Sequence, residues 1–155
     1  MHVRRAQIDD LDELAVLFDE YRIFYSQTSN VARARAFLEN RLNKNESVIF
    51  VSVSDDNKLS GFTQLYPLFS SVRLSKLWQL NDLYVNQAYR GLGAGIALIE
   101  ESKQLCRETK SCGMILETSK SNHVGNTLYP KCGFELDAED NYYCWSSGEL
   151  GYDMS

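Results

Sequence analysis

The sequence lacks long apolar runs, and their absence argues against membrane-spanning helices. No stretch approaches the roughly 20 apolar residues that a transmembrane helix needs. The first residues lead into polar Gln7, Asp9 and Asp10 without the apolar segment of a signal peptide. We therefore expect a cytoplasmic protein with no membrane partner.

Basic residues are too few for a general binder of nucleic acid or anionic membranes. The chain has 16 Lys and Arg against 21 Asp and Glu, a formal net charge of −5. Binders of those polyanions carry clustered positive charge. We expect no nucleic-acid partner, and the acidic balance slightly favours a cationic substrate.

Cysteines at metal-binding spacing are absent. The four cysteines are Cys106, Cys112, Cys132 and Cys144, and no two of them form a CxxC motif. Cys106 falls on the apolar face of a predicted helix. We expect buried, reduced thiols rather than disulfides or zinc ligands, and no metal site.

Internal repeats and low-complexity segments are absent as well. A chain of 155 residues with 44% hydrophobic and 24% charged residues has an ordinary globular composition. At this length one core buries roughly 70% of the surface of the unfolded chain. We expect one domain over residues 1–146 and a mobile tail over 147–155, which has little to bury.

A glycine-rich turn is the most informative segment present. Residues 77–85 are apolar, aromatic and β-branched, as in a strand, and apolar residues recur at helical spacing from Leu98 onward. Between them lie three glycines at alternate positions, Gly91, Gly93 and Gly95. A turn of this kind directs backbone N–H groups, together with those of the helix start, toward one anion.

The same turn distinguishes between nucleotide-binding folds. Arg90 adds a positive charge beside the glycines, which favours a phosphate ligand. A P-loop requires Gly-Lys-Ser/Thr, but Ile96 and Ala97 follow Gly95. A Rossmann turn belongs near the first strand of a longer α/β domain, whereas this turn lies in the second half of the chain.

Alternation and helical spacing predict the remaining elements. A strand, two helices, a three-strand meander, a helix, a strand, a short helix and a last strand pair follow one another, in the order β-α-α-β-β-β-α-β-α-β-β. The last strand pair covers residues 134–136 and 142–145. This order predicts a mixed α/β (α+β) fold.

A second motif lies near the C-terminus, within residues 122–134. Asn122, Leu128, Tyr129, Gly133 and Phe134 match Asn-x-x-Ala-x-x-Leu-Tyr-x-x-x-Gly-Phe. With Arg-x-x-Gly-x-Gly at residues 90–95, it resembles the two motifs of the GCN5-related N-acetyltransferases over nearly the whole chain. The chain departs from the pattern at Gly125, in place of Ala, and at Pro130, whose ring tightens the last helical turn.

The resemblance implies a single-domain acyl-CoA N-acyltransferase (GNAT) fold, with a central twisted mixed sheet flanked by helices. It implies transfer of the acetyl group of acetyl-CoA to a primary amine by direct attack on the thioester. The acceptor would be a small molecule or a peptide. A non-catalytic acyl-CoA sensor is the alternative.

The resemblance also assigns roles to residues. The turn would bind the coenzyme pyrophosphate, and the strand before it would pair with the pantetheine arm. Asn122 would reach the pantetheine or cap its helix, two equally good readings. These coenzyme-binding residues are Leu83, Tyr84, Val85, Arg90, Gly91, Leu92, Gly93, Ala94, Gly95 and Asn122.

Tyr129 occupies the motif position of the general acid that protonates the departing thiolate; packing in the core is its alternative role. Asp82 is a candidate general base, and an ion pair or a role in ordering a strand bulge is the alternative. Glu117 or a water molecule are the other candidates for the base. Proton removal is needed because only the neutral amine is nucleophilic.

Aromatic residues suggest an acceptor pocket and an interface. Five residues line the predicted pocket, with core packing as the alternative for each: Tyr21, Tyr25, Gln64, Tyr66 and Trp78. Homodimers are common in the family that the chain resembles. Tyr142, Tyr143 and Trp145 form the candidate interface, unless they only close the sheet.

Overall fold

The structure is a computed structural model that describes residues 1–149. Residues 150–155, most of the predicted tail, lie outside the described part. The strands are β1 His2–Arg5, β2 Val48–Val53, β3 Leu59–Ser70, β4 Ser75–Val85 and β5 Met114–Ile115. The helices are α1 Leu11–Phe24, α2 Val31–Asn43, α3 Ala94–Glu108 and α4 His123–Lys131.

The strands form one mixed sheet in the order β1-β2-β3-β4-β5. Strands β2, β3 and β4 pair antiparallel in succession, because the short connections between them favour hairpins. Strand β1 pairs antiparallel with β2 although α1 and α2 lie between them in the chain, and β5 joins β4 in parallel after the α3 crossover. The predicted mixed α/β architecture, with a twisted sheet flanked by helices, is therefore confirmed.

Helices cover both faces of the sheet. The helix pair α1–α2 packs its apolar residues, among them Leu14, Phe18 and Leu38, onto Ile49 and Phe62 of the sheet. All six positions of β2 are buried, as expected for a strand covered on both faces. Helix α3 contacts β1 to β4, and its buried stripe confirms the apolar spacing in the sequence.

The chain divides into two compact units, residues Met1–Glu117 and a second unit that begins at Thr118. The first contains the sheet and α1 to α3. The second contains α4, whose N-cap is Asn122 and which stops before Gly133, where φ is 89°. A left-handed glycine at this position is the expected helix stop.

The predicted last strand pair is wrong. Residues 134–136 and 142–145 form no strand in the described part of the chain. Asp137 Oδ1 instead accepts the N–H groups of Glu139 and Asp140 at 2.9 and 3.2 Å, a local turn that competes with strand pairing. The aromatic run is exposed, and aromatic residues favour strands only where they pack against a neighbour.

Two further expectations need correction. The apolar run over residues 113–118 predicts a buried strand, but β5 covers only Met114–Ile115 and Ile115 is 43% exposed, so the strand is shorter and more exposed than predicted. All four cysteines are free, but only Cys106 and Cys132 are buried, whereas Cys144 is exposed. Cys144 lies in the segment predicted to be a strand, where no sheet covers it.

Within residues 1–149, no helix combines the length and apolar character needed to cross a bilayer. Over the same residues, no group of three or more His, Cys, Asp or Glu side chains is placed to hold a metal ion.

Candidate functional site

The glycine turn leads from β4 into α3 through two left-handed residues. Gly91 has φ 79° and Gly93, the N-cap of α3, has φ 88°, a region that only glycine adopts at no steric cost. A Cβ built on either residue would meet no atom within 4 Å. The space in front of the turn is therefore open to a ligand.

Backbone N–H groups at the start of α3 face no intrahelical acceptor. The first intrahelical bond runs from Ala97 N–H to Gly93 O at 3.0 Å, so the N–H groups of Ala94, Gly95 and Ile96 precede it. Together with the positive end of the helix dipole, they form an anion site. Leu92 is 68% exposed beside them.

Arg90 lies against the end of β4. Its Nε donates to Val85 O at 2.9 Å, and its Cζ lies 5.7 Å from the centre of the Tyr84 ring. These two contacts hold the guanidinium beside the turn, so that its positive charge lies near the predicted phosphate site. The Val85 carbonyl already accepts this bond, so it has less capacity for a pantetheine amide than Leu83 and Tyr84.

The edge of β4 separates from β5. The two strands pair only at Trp78 with Met114 and Gln79 with Ile115, while β4 continues to Val85. The last residues of β4 thus extend beyond the parallel partner strand, leaving room for a ligand that adds to the edge. This separation lies directly before the glycine turn.

A β-bulge turns Asp82 into the sheet. Gln64 pairs with Asp82 and Leu65 with Leu80, so Asn81 is the extra residue of β4. Asp82 is only 5% exposed. Its Oδ2 accepts Gln64 Nε2 at 2.7 Å and its Oδ1 accepts Asn81 Nδ2 at 3.1 Å.

Burial raises the pKa of Asp82, because removal from water disfavours the charged carboxylate. Hydrogen bonds from Gln64, Tyr21 and Asn81 act in the opposite direction. None of these three partners is basic, so the ion pair that the sequence suggested for Asp82 is not among its interactions. A buried carboxyl with a raised pKa is suited to accept a proton near neutral pH.

A chain of buried hydrogen bonds supports this carboxyl. Ser47 Oγ donates to Gln64 Oε1 at 2.8 Å, and Gln64 donates in turn to Asp82. Burial raises the pKa of Tyr66, and the negative charge of Asp82 is the second, smaller cause of the increase. Gln64 is fully buried, so its predicted contact with an acceptor is replaced by a role in positioning Asp82.

The predicted aromatic pocket is only partly assembled. Tyr21 contacts Tyr25 at a ring distance of 5.0 Å and Tyr84 at 6.4 Å, and its hydroxyl donates to Asn81 O at 3.4 Å. Tyr21 and Tyr25 therefore lie near the bulge. The Nε1 of Trp78 instead donates to Thr109 at the end of α3, 3.0 Å away. Trp78 therefore lies on the face of the sheet that α3 covers, opposite the face on which Tyr21 and Tyr25 of α1 lie.

Glu20 is a site residue that sequence reasoning missed. Its Oε2 accepts Tyr84 Oη at 3.2 Å and Asn86 Nδ2 at 2.9 Å, joining α1 to the end of β4. Burial raises the pKa of Tyr84, and the negative charge of Glu20 is the second, smaller cause of the increase. No local pattern marks Glu20, because its partners are 64 and 66 residues away in the chain.

Glu117, the other candidate for the general base, is exposed and follows β5.

In the second unit, Asn122 caps α4: its Oδ1 accepts Gly125 N–H at 3.1 Å and its Nδ2 donates to Thr118 Oγ1 at 2.9 Å. Tyr129 is half-buried and packs edge-on against Phe134, with ring centres 5.8 Å apart. Capping thus accounts for Asn122.

Known proteins share both the sequence and the fold. The model of the acetyltransferase (GNAT) family matches residues 14–134. An uncharacterized N-acetyltransferase of Bacillus subtilis, YhfO, is 38% identical over 93% of this chain and 96% of its own length. A probable acetyltransferase of Haemophilus influenzae is 31% identical over 92% of this chain and 96% of its own.

A solved structure agrees with these relatives. The crystal structure of a probable acetyltransferase superposes with a TM-score of 0.91 at 39% identity, covering 96% of this chain and 99% of that one. The chain therefore belongs to the GNAT family of acetyltransferases.

Proposed function

We propose that this protein transfers the acetyl group of acetyl-CoA to a primary amine. The single observation that carries the proposal is the open, left-handed glycine turn at the start of α3, directly after the separated edge of β4. The turn supplies N–H groups for a pyrophosphate, and the edge supplies backbone partners for an amide-rich arm.

Coenzyme binding is divided between two segments of the first unit. The pyrophosphate binds the N–H groups of residues 91–96, next to the fixed guanidinium of Arg90. The pantetheine arm pairs with Leu83 and Tyr84. Arg90 and Glu20 hold the end of β4 in place through Val85 O and Tyr84 Oη.

Asp82 removes the proton from the acceptor amine, directly or through water. Its burial and raised pKa favour it over the exposed Glu117. The neutral nitrogen then attacks the thioester carbonyl, the new C–N bond forms, and the C–S bond breaks. The thiolate takes a proton from the hydroxyl of Tyr129, a role that rests on the motif position of that residue. The positively charged nitrogen of the adduct releases its second proton to solvent, and solvent later returns a proton to Tyr129.

The acceptor is a small molecule or a peptide that carries a primary amine. Tyr21 and Tyr25, beside the bulge, offer ring faces to such a group. The cytoplasmic location and the homodimer remain predictions from the sequence.

A thermal-shift titration with acetyl-CoA, followed by a thiol-release screen over a panel of amines, tests the proposal. We expect stabilisation by acetyl-CoA and release of CoA with at least one amine. Stabilisation without release from any amine would favour the acyl-CoA sensor. The absence of stabilisation would contradict the role of the glycine turn.

A further inference from the structure

A second cleft lies in the first unit, at the end of the sheet remote from the glycine turn. It has a volume of about 300 Å³ and is bounded by the end of β1, the start of β4 and the last turn of α3. Helix α3 has 15 residues, so its two ends are roughly 22 Å apart at the usual rise per residue. The cleft is therefore distinct from the proposed coenzyme site.

Two cations lie in this cleft without a counter-charge. Arg5 and Lys76 both line it, and none of its nine lining residues is acidic. Among residues 1–149, neither side chain forms an ion pair with a carboxylate. Two uncompensated cations that line one cleft are unexpected in a chain of formal net charge −5, and they attract an anion.

The wall of the cleft is rigid and partly apolar. Trp78 is 5% exposed, and its indole N–H is held by Thr109 Oγ1 at 3.0 Å. The ammonium of Lys76 lies 5.0 Å from the centre of the Trp78 ring. Two acidic residues neighbour lining residues in the chain, Glu46 and Glu108, and neither lines the cleft; Glu46 pairs with Arg41 at 3.0 Å.

We propose that this cleft binds a small dianion, either a phosphate monoester or a dicarboxylate. The Arg5 guanidinium suits two-point contact with a phosphate or carboxylate, and the Lys76 ammonium adds a point charge. The volume is at the lower end of ligand pockets, which limits the ligand to a small molecule. The Trp78 ring contacts the apolar part of that ligand.

Nuclear magnetic resonance of the Trp78 indole N–H tests the proposal at the cleft itself. The chain has two tryptophans, so the variant Trp145→Phe leaves Trp78 as the single indole signal. Inorganic phosphate and succinate are titrated separately against this protein. We expect a saturable shift of the indole signal with at least one of them, and the responding anion identifies phosphate or carboxylate as the ligand group.

Variants of the two cations complete the test. In Arg5→Gln/Lys76→Gln we expect the affinity to fall by at least about tenfold, since charge-assisted contacts are lost. Lys58→Gln, on the exposed β2–β3 turn, is the matched control and should bind as the parent does. If the double variant does not fold, the exposed Arg5→Gln alone serves in its place. No saturable shift with either anion, or an unchanged affinity in these variants, would overturn the proposal.

Discussion

Gly93 is the residue whose backbone conformation matters most for the proposed coenzyme site. Its φ of 88° lies in the left-handed region, and it caps the helix whose N–H groups would bind the pyrophosphate. A side chain at this position both strains the backbone and projects into the open space of the turn. Its replacement therefore tests the turn directly.

We expect Gly93→Val to weaken acetyl-CoA binding by at least about 100-fold, because the turn can no longer hold its geometry. Isothermal titration calorimetry measures the loss. Gly113→Ala is the matched control: a Cβ there also meets no atom within 4 Å, and no positive φ applies. Equal affinities of Gly93→Val and Gly113→Ala would contradict the role of the turn.

Asp82 is a buried carboxyl whose raised pKa makes its folded state sensitive to pH. Because the folded state holds the proton more tightly, Asp82 favours folding at low pH. That contribution is lost as the pH rises from the ordinary value of 3.8 through the raised pKa. Asp82→Asn removes the titration, so its stability relative to the parent should rise with pH across this window.

Urea unfolding between about pH 4 and pH 8 measures this difference. Asp56→Asn is the control: hydrogen bonding from Ser54 lowers the pKa of Asp56, so its titration lies at or below the ordinary value of 3.8 and its stability relative to the parent should stay nearly constant across this window. If Asp82 is also the base, Asp82→Asn lowers kcat by about 100-fold and removes the acidic limb of the pH–rate profile. A retained acidic limb would transfer the role to Glu117 or water.

Tyr129 should act on the departing thiolate and not on coenzyme affinity. We expect Tyr129→Phe to lower kcat by about 100-fold with acetyl-CoA affinity near that of the parent. Stopped-flow thiol release and calorimetry give the two quantities. Phe134→Leu, which alters the ring packed against Tyr129, controls for simple disturbance of packing. Full turnover of Tyr129→Phe would assign the proton to another donor.

At the scale of elements, α4 differs from the expectation for an isolated helix. Helix propensity predicts that Gly125→Ala stabilises by about 1 kcal/mol. In the structure, a Cβ on Gly125 would lie 2.6 Å from Asn122 Nδ2 and 3.1 Å from Tyr129 Cε2. The Asn122 amide cannot accommodate this without disturbing the cap that it makes.

We therefore expect Gly125→Ala to give no stabilisation, because loss of the cap costs about 1 kcal/mol and offsets the gain in propensity. Thermal unfolding of the two single variants and the double variant with Asn122→Ala forms a mutant cycle. In the Asn122→Ala background, Gly125→Ala should recover the stabilisation. A gain of equal size in both backgrounds would show that the cap tolerates the methyl group.

At the scale of the whole molecule, the exposed aromatic residues of the second unit concern self-association. Tyr142, Tyr143 and Trp145 are 73, 91 and 88% exposed. Aromatic side chains of this size stabilise interfaces when they are removed from water. The homodimer predicted from the sequence thus has a specific candidate surface.

We expect the protein to sediment as a dimer at micromolar concentration and the triple variant Tyr142→Ser/Tyr143→Ser/Trp145→Ser to sediment as a monomer. Phe69→Ser, at the exposed end of the β3–β4 hairpin, is the control for a general loss of apolar surface. A monomeric parent protein would rule out this dimer. A dimeric triple variant would place the interface elsewhere.

Features that depend on neighbours in the chain could be predicted from the sequence. The glycine turn, the start of α3 and the cap of α4 follow from φ preferences and hydrogen bonds over three or four residues, and the structure contains each of them. Apolar spacing likewise predicted the helices and the antiparallel strands. The last strand pair failed because strand pairing depends on a partner that the local pattern does not specify.

Tertiary structure alone decided which side chains surround each other. The burial of Asp82, its support by Gln64 18 residues away, and the tether of Glu20 to Tyr84 64 residues away all depend on the packing of distant segments. The same holds for Arg5 and Lys76, which the sheet brings into one cleft. The sequence by itself determined the family and its backbone turns, because these are local. The environment of each charged group was decided by the fold, because burial and pairing are properties of the packed chain.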